Sequence, residues 1–152
     1  MSLLLKFTCP ENDKYSVVVD DDDKVAYAYF LENERITGDV WLYNVHPTPL
    51  LPAWLDRTNM PLMPVLNSRE FVLEPMISPV SDAKDVQVIW DIDDGGQVES
   101  AGVFIRGVLE CILKPGSRPG WSHRVKRDGP TAKTIPRESW SGGGAAEKGW
   151  PH

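Results

Sequence analysis

The chain is poor in the residues that build staples and metal sites. It holds two cysteines, Cys9 and Cys111, and three histidines, His46, His123 and His152, in 152 residues. Two cysteines are too few for a disulfide scaffold. A single Cys9–Cys111 bridge stays open, because the first and last strands of a sheet can be neighbours. Neither cysteine has a second Cys or His at zinc spacing, so no structural zinc site is expected. Long hydrophobic runs are also missing. Leu3-Leu4-Leu5 is followed at once by Lys6, whereas a secretory signal carries about 7–15 apolar residues in its middle region. Nothing approaches the ~18 apolar residues of a membrane helix. The expectation is a cytoplasmic protein with no membrane attachment.

Catalytic motifs are missing as well. There is no Gly-x-Ser-x-Gly, no phosphate-cradling glycine loop and no Gly-x-Gly-x-x-Gly. Gly142-Gly143-Gly144 lacks a following Lys-Ser/Thr and reads as a flexible joint. His46 stands before Pro47 with no nucleophile motif beside it, so it reads as a loop histidine. Asp91, Asp93 and Gly96 match three places of a calcium loop, but Gly95 and Gly102 occupy two ligand places. This stretch reads as a hairpin turn. No cofactor and no metal are expected.

What the chain does have is split charge. Residues 1–114 carry nine Lys/Arg and nineteen Asp/Glu, a balance of −10, and residues 115–152 carry seven and three, a balance of +4. The sum is the net −6 of the whole chain. The expected organisation is an acidic β domain over 1–114 and a basic, Gly/Pro/Trp-containing tail over 115–152, mostly irregular. The acidic body argues against nucleic-acid binding, which needs a basic footprint; only the tail has the composition for it.

The body reads as strands. Residues 3–9, 15–19, 25–31 and 39–45 are rich in β-branched and aromatic residues and are separated by polar breaks. In the third run Val25, Tyr27, Tyr29 and Leu31 share one face and Ala26, Ala28 and Phe30 the other. In the fourth, Trp41, Tyr43 and Val45 are expected on a common face. Residues 70–73 read as a short strand. Residues 86–92 put Val86, Val88, Trp90 and Ile92 on one face, and Asp93-Asp94-Gly95-Gly96 marks a hairpin turn before a return strand at 97–100. Residues 103–114 fit both periods; strand is preferred because Val103, Ile105, Val108 and Ile112 are β-branched and Gly102 and Gly107 weaken a helix. The predicted fold is mainly β, an antiparallel sandwich or strongly curved sheet of about six to eight strands, with a flexible C-terminal tail.

Three places carry candidate function. The Pro-rich, apolar stretch 47–68 includes Leu51, Trp54 and Leu55; it reads either as a cap on the core or as a docking loop. The acidic run Asp20-Asp21-Asp22-Asp23 reads as a solvated turn at the rim of an acidic face. In the tail, Trp121, Arg124, Lys126 and Arg127 combine aromatic and cationic groups. They suit docking on the acidic body or on a neighbouring subunit. The leading expectation is a small non-catalytic protein-binding module that uses the acidic face and the 47–68 loop. Small acidic immunity proteins, which inhibit toxic enzymes, share this character at the level of composition. The alternatives are an enzyme or small-ligand-binding β domain with a carboxylate-containing cleft, and an assembly subunit with a docking tail. Homo-oligomerisation is compatible with any of them.

Overall fold

In a computed structural model, residues 2–48, 66–73 and 77–135 are described. They form nine β-strands and one short 3-10 turn at Ala83–Asp85. The first sheet is a four-stranded antiparallel meander: β1 (Leu3–Thr8), β2 (Tyr15–Asp21), β3 (Val25–Glu32) and β4 (Arg35–Asn44). The second runs β5 (Val86–Ile92), β6 (Val98–Ile105), β7 (Val108–Leu113), β8 (Trp121–Ser122) and β9 (Lys133–Thr134). All pairings are antiparallel except β8 with β9. The mainly β, antiparallel expectation holds. The strand count exceeds it through the two-residue strands β8 and β9.

The core lies between the sheets, where Val17, Val19, Ala28, Phe30 and Val40 meet Val103, Ile105, Cys111 and Leu113. Ala26, Ala28 and Phe30 take the inward face of β3, as alternation predicts, and Val86, Val88, Trp90 and Ile92 of β5 pack against the same core. Cys9 and Cys111 are both free and buried, not bridged.

Alternation fails in β4. Ala26 pairs with Tyr43 but Tyr27 pairs with Trp41, so Leu42 is an extra residue, a bulge. Trp41 therefore shares the outer face with Tyr27, while Tyr43 turns inward, and the two do not lie on one side. Residues 103–113 are not one strand but the end of β6 and all of β7. Arg106 (φ 49°) and Gly107 (φ 83°) make the tight turn between them, the positive-φ pair that suits the twist of a two-residue hairpin. Residues 70–73 form only an isolated bridge, Val72 with Val125, inside a turn.

The largest departure from the sequence reading follows Lys114. Residues 115–135 run along the free side of β4 and join the second sheet. Asp39 N–H donates to Ser117 C=O (2.9 Å), Gly120 N–H to Asp39 C=O (2.7 Å) and Trp41 N–H to Thr131 C=O (2.9 Å). β8 pairs with β7. Ser117, Ser122, Val125, Thr131 and Ala132 are buried. The packed body thus extends at least through residue 135, past the boundary that fading hydrophobic periodicity suggested. This segment orders through backbone bonds to exposed strand edges, which a side-chain pattern does not register. Residues 136–152 lie outside the described residues.

Candidate functional site

β-Sheet pairing builds two cross-strand rows on the outer face of the first sheet. One runs Leu4, Asp20, Tyr27, Trp41 and the other Lys6, Val18, Tyr29, Asp39. One end of this face is sealed. Trp41 Nε1 donates to Asn44 Oδ1 (2.9 Å), which also accepts from Asn67 N–H (2.9 Å), while Asn44 Nδ2 donates to Asn67 C=O (2.8 Å). The Asn44 amide thereby imitates a strand neighbour for residue 67, and Trp41 is fully buried beneath. Asn67 Nδ2, Ser68 Oγ and Thr131 Oγ1 are buried without hydrogen-bond partners among the described residues.

The rest of the face is open and acidic. Tyr27 and Tyr29 stack with ring centroids 6.2 Å apart. Tyr29 is half-buried, and burial, then Asp20, Asp39 and Asp22 around it, push its hydroxyl pKa up to about 12. The Asp20 carboxyl is also raised, first by burial and then by Asp22 and Asp21. Arg118 offsets part of the charge, with Nε 3.9 Å from Asp39 Oδ2. Three carboxylates facing one tyrosine form an anionic aromatic surface that suits a cationic partner.

The structure separates the four aspartates of the 20–23 run. Asp22 and Asp23 are exposed at the β2–β3 turn and Asp20 is half-buried. Asp22 Oδ1 accepts from the N–H groups of Lys24 and Val25 (both 3.0 Å), so it shapes the turn. Asp21 points inward, 2 % exposed; it accepts from the Tyr43 hydroxyl (2.8 Å) and from Asp23 N–H (2.9 Å). Asp21 is therefore part of the interior and not of a docking face. Tyr43, raised mainly by burial, in turn accepts from Val80 N–H. Leu51, Trp54 and Leu55 lie outside the described residues.

The basic residues after 115 are distributed through the fold. Trp121 sits in β8 against Phe104, Leu109 and Ile112 on the outer side of the second sheet. The ammonium groups of Lys114 and Lys133 lie 5.2 and 5.0 Å from its ring centroid. Arg124 pairs with Glu110 through two bonds, Nε to Oε1 at 2.7 Å and Nη2 to Oε2 at 3.0 Å. Glu110 is the extra residue of a second bulge, since Val103 pairs with Cys111 and Phe104 with Leu109. The bulge re-aims its carboxylate towards the 121–125 segment. Arg127 pairs with Glu70 and lies over the Phe71 ring at 5.1 Å, while Lys126 is exposed and its N–H donates to Phe71 C=O. Trp121, Arg124 and Arg127 are thus parts of the packed body.

Asp93 caps its own turn, accepting from Gly95 and Gln97 N–H at 2.9 Å each. His46 N–H donates to Lys24 C=O and His123 N–H to Glu110 C=O, each at 2.9 Å. Among the described residues no group of three His, Cys, Asp or Glu side chains is placed to hold a metal ion. No helix among them is long and apolar enough to cross a membrane. No protein family, curated protein or solved structure matches this chain.

Sequence reasoning placed the acidic turn but passed over Tyr29 and Asp39. The signal was available in part. Strand alternation set Tyr27 and Tyr29 on one face, but pairing Asp39 with Tyr29 needs the β3–β4 register and its bulges.

Proposed function

We propose that the protein is a non-catalytic protein-binding module. Its docking surface is the open part of the first sheet's outer face, with Asp20, Asp22, Asp39 and Tyr29 at its centre and Tyr27 buried beneath as support. The Pro-rich stretch 47–68, with Trp54 as anchor, is the second docking element. The observation that carries this reading is Tyr29 held among three carboxylates on a half-exposed strand face. Tyrosine is enriched where proteins meet, because it offers a large rigid area with a polar tip. Carboxylates around it favour a basic partner face and speed its approach. A basic toxic enzyme neutralised by a small acidic immunity-type protein fits this chemistry. The reading places the protein in the cytoplasm, where free Cys9 and Cys111 stay reduced.

The test is capture from a lysate of the native host on immobilised full-length protein. The wild type is expected to retain a specific basic protein, and Asp20→Lys, which leaves the Asp22 cap of the β2–β3 turn in place, is expected to release it while the thermal melt stays intact. Equal capture by wild type and variant would reject the acidic face as the docking surface.

A further inference from the structure

The four-stranded sheet has two edges, and they are treated differently. β4 is covered by backbone bonds from Ser117, Gly120 and Thr131. Among the described residues β1 has one strand neighbour, β2, and a continuous register with no bulge. Edge strands are normally blunted by charge, proline, bulges or a covering segment. β1 contains no proline, and its one charge, Lys6, is tied to Glu34 within the same sheet at 2.8 Å. Leu4 is 70 % exposed, and Leu3, Leu5 and Phe7 on the inner side are only partly buried although they pack against the core cluster.

The direction of the free backbone groups follows from one bond. Cys9 N–H donates to Tyr15 C=O at 3.0 Å, in register with the β1–β2 ladder. Bond-exchanging residues alternate in an antiparallel pair. Phe7, Leu5 and Leu3 therefore face β2, and Leu4, Lys6 and Thr8 turn N–H and C=O outward.

We infer that β1 is a homodimer interface, pairing antiparallel with β1 of a second copy so that the two sheets become one. The sequence of the strand selects a register. Continuation of the sheet requires opposite residues to share a face. With Leu5 opposite Leu5, Leu3 lies opposite Phe7 on the inner side, completing the half-buried apolar row. On the outer side Leu4 lies opposite Lys6, whose methylene stem covers it. The outward backbone groups of Leu4 and Lys6 exchange bonds in each of the two symmetric pairs. Sliding by two residues one way stacks Lys6 on Lys6, a like-charge pair that costs stability. Sliding the other way pairs Leu4 with Leu4 but shortens the ladder to residues 3–5 and leaves Phe7 with no partner in the strand. The β1 edge is thus self-complementary, as a two-fold interface must be.

Sedimentation velocity on the full chain over a wide concentration series tests this. The wild type is expected to show a reversible monomer–dimer equilibrium. Leu4→Lys places lysine opposite Lys6 twice, and is expected to raise the dimer dissociation constant about tenfold. Leu4→Glu makes two attractive pairs instead and is expected to lower it. Leu4→Pro removes an outward N–H and is expected to abolish the dimer; circular dichroism confirms the fold of each variant, and the Lys/Glu contrast stands without it. A monomer at every concentration would overturn the proposal, as would a dimer indifferent to the charge at position 4.

Discussion

Replacing Arg124 by Met tests how firmly the 115–135 segment is held. Glu110 is 2 % exposed at its side chain and Arg124 27 %, with both guanidinium bonds between 2.7 and 3.0 Å. Removing one member of a buried pair leaves a carboxylate without compensation, at a cost of about 3–5 kcal/mol. Arg124 keeps some contact with solvent, so water screens part of this, and ~3 kcal/mol is the expected loss. For a chain of this size ~1 kcal/mol moves Tm by roughly 2–4 °C, so Arg124→Met should melt about 6–12 °C below wild type. The double variant Glu110→Leu/Arg124→Met removes both charges from the site. Apolar replacement of a whole buried pair is commonly near neutral, so it should recover most of the loss. Thermal melts of wild type, both single variants and the double variant form a cycle that isolates the pair. A single variant within about 1 °C of wild type, which is well under ~1 kcal/mol, would refute the reasoning. So would a double variant as unstable as the sum of the singles.

Gly120 has no room for a side chain: a Cβ there would meet Ile112 C=O at 2.5 Å and Val40 Cβ at 3.3 Å. Gly120→Ala should cost about 1–3 kcal/mol by overpacking, measured by denaturant unfolding, and a change inside ±0.5 kcal/mol would contradict the close crossing of β4 and β7. His123 is exposed at its surface but sits partly among protein atoms; that partial burial lowers its pKa slightly, with Arg124 adding to the effect and Glu110 opposing it. The unfolded chain then binds its proton more readily than the folded one, so stability is full above the unfolded pKa near 6.5 and falls as pH drops below it. Tm against pH should show this decline in the wild type and lose it in His123→Gln; identical profiles would contradict it.

The longer strands were legible because polar breaks separate them and because β3 of the first sheet and β5 of the second carry clean alternation. The bulges were not. Leu42 and Glu110 are inserted residues that change which face follows, and nothing in a hydrophobic pattern marks them. The two-faced ambiguity of residues 103–114 had the same origin, since a hairpin with an Arg106-Gly107 turn and a bulge mimics a mixed period. The segment 115–135 was read as a tail because few of its residues are apolar. Its order rests on backbone bonds to β4 and on Glu110–Arg124, interactions between residues distant in sequence. Likewise the acidic turn was visible as Asp20–Asp23, but the inward turn of Asp21 onto Tyr43 and the approach of Asp39 to Tyr29 depend on register.

The most direct measurement compares chains ending at residue 114 and at residue 135. If residues 115–135 close the β4 edge and complete the second sheet, the 1–135 chain should melt cooperatively near the full-length Tm. The 1–114 chain should give no cooperative transition, because β4 and β7 would lose their shared neighbours. A 1–114 chain that folds and melts like the full chain would contradict the account and leave the basic segment as a dispensable tail.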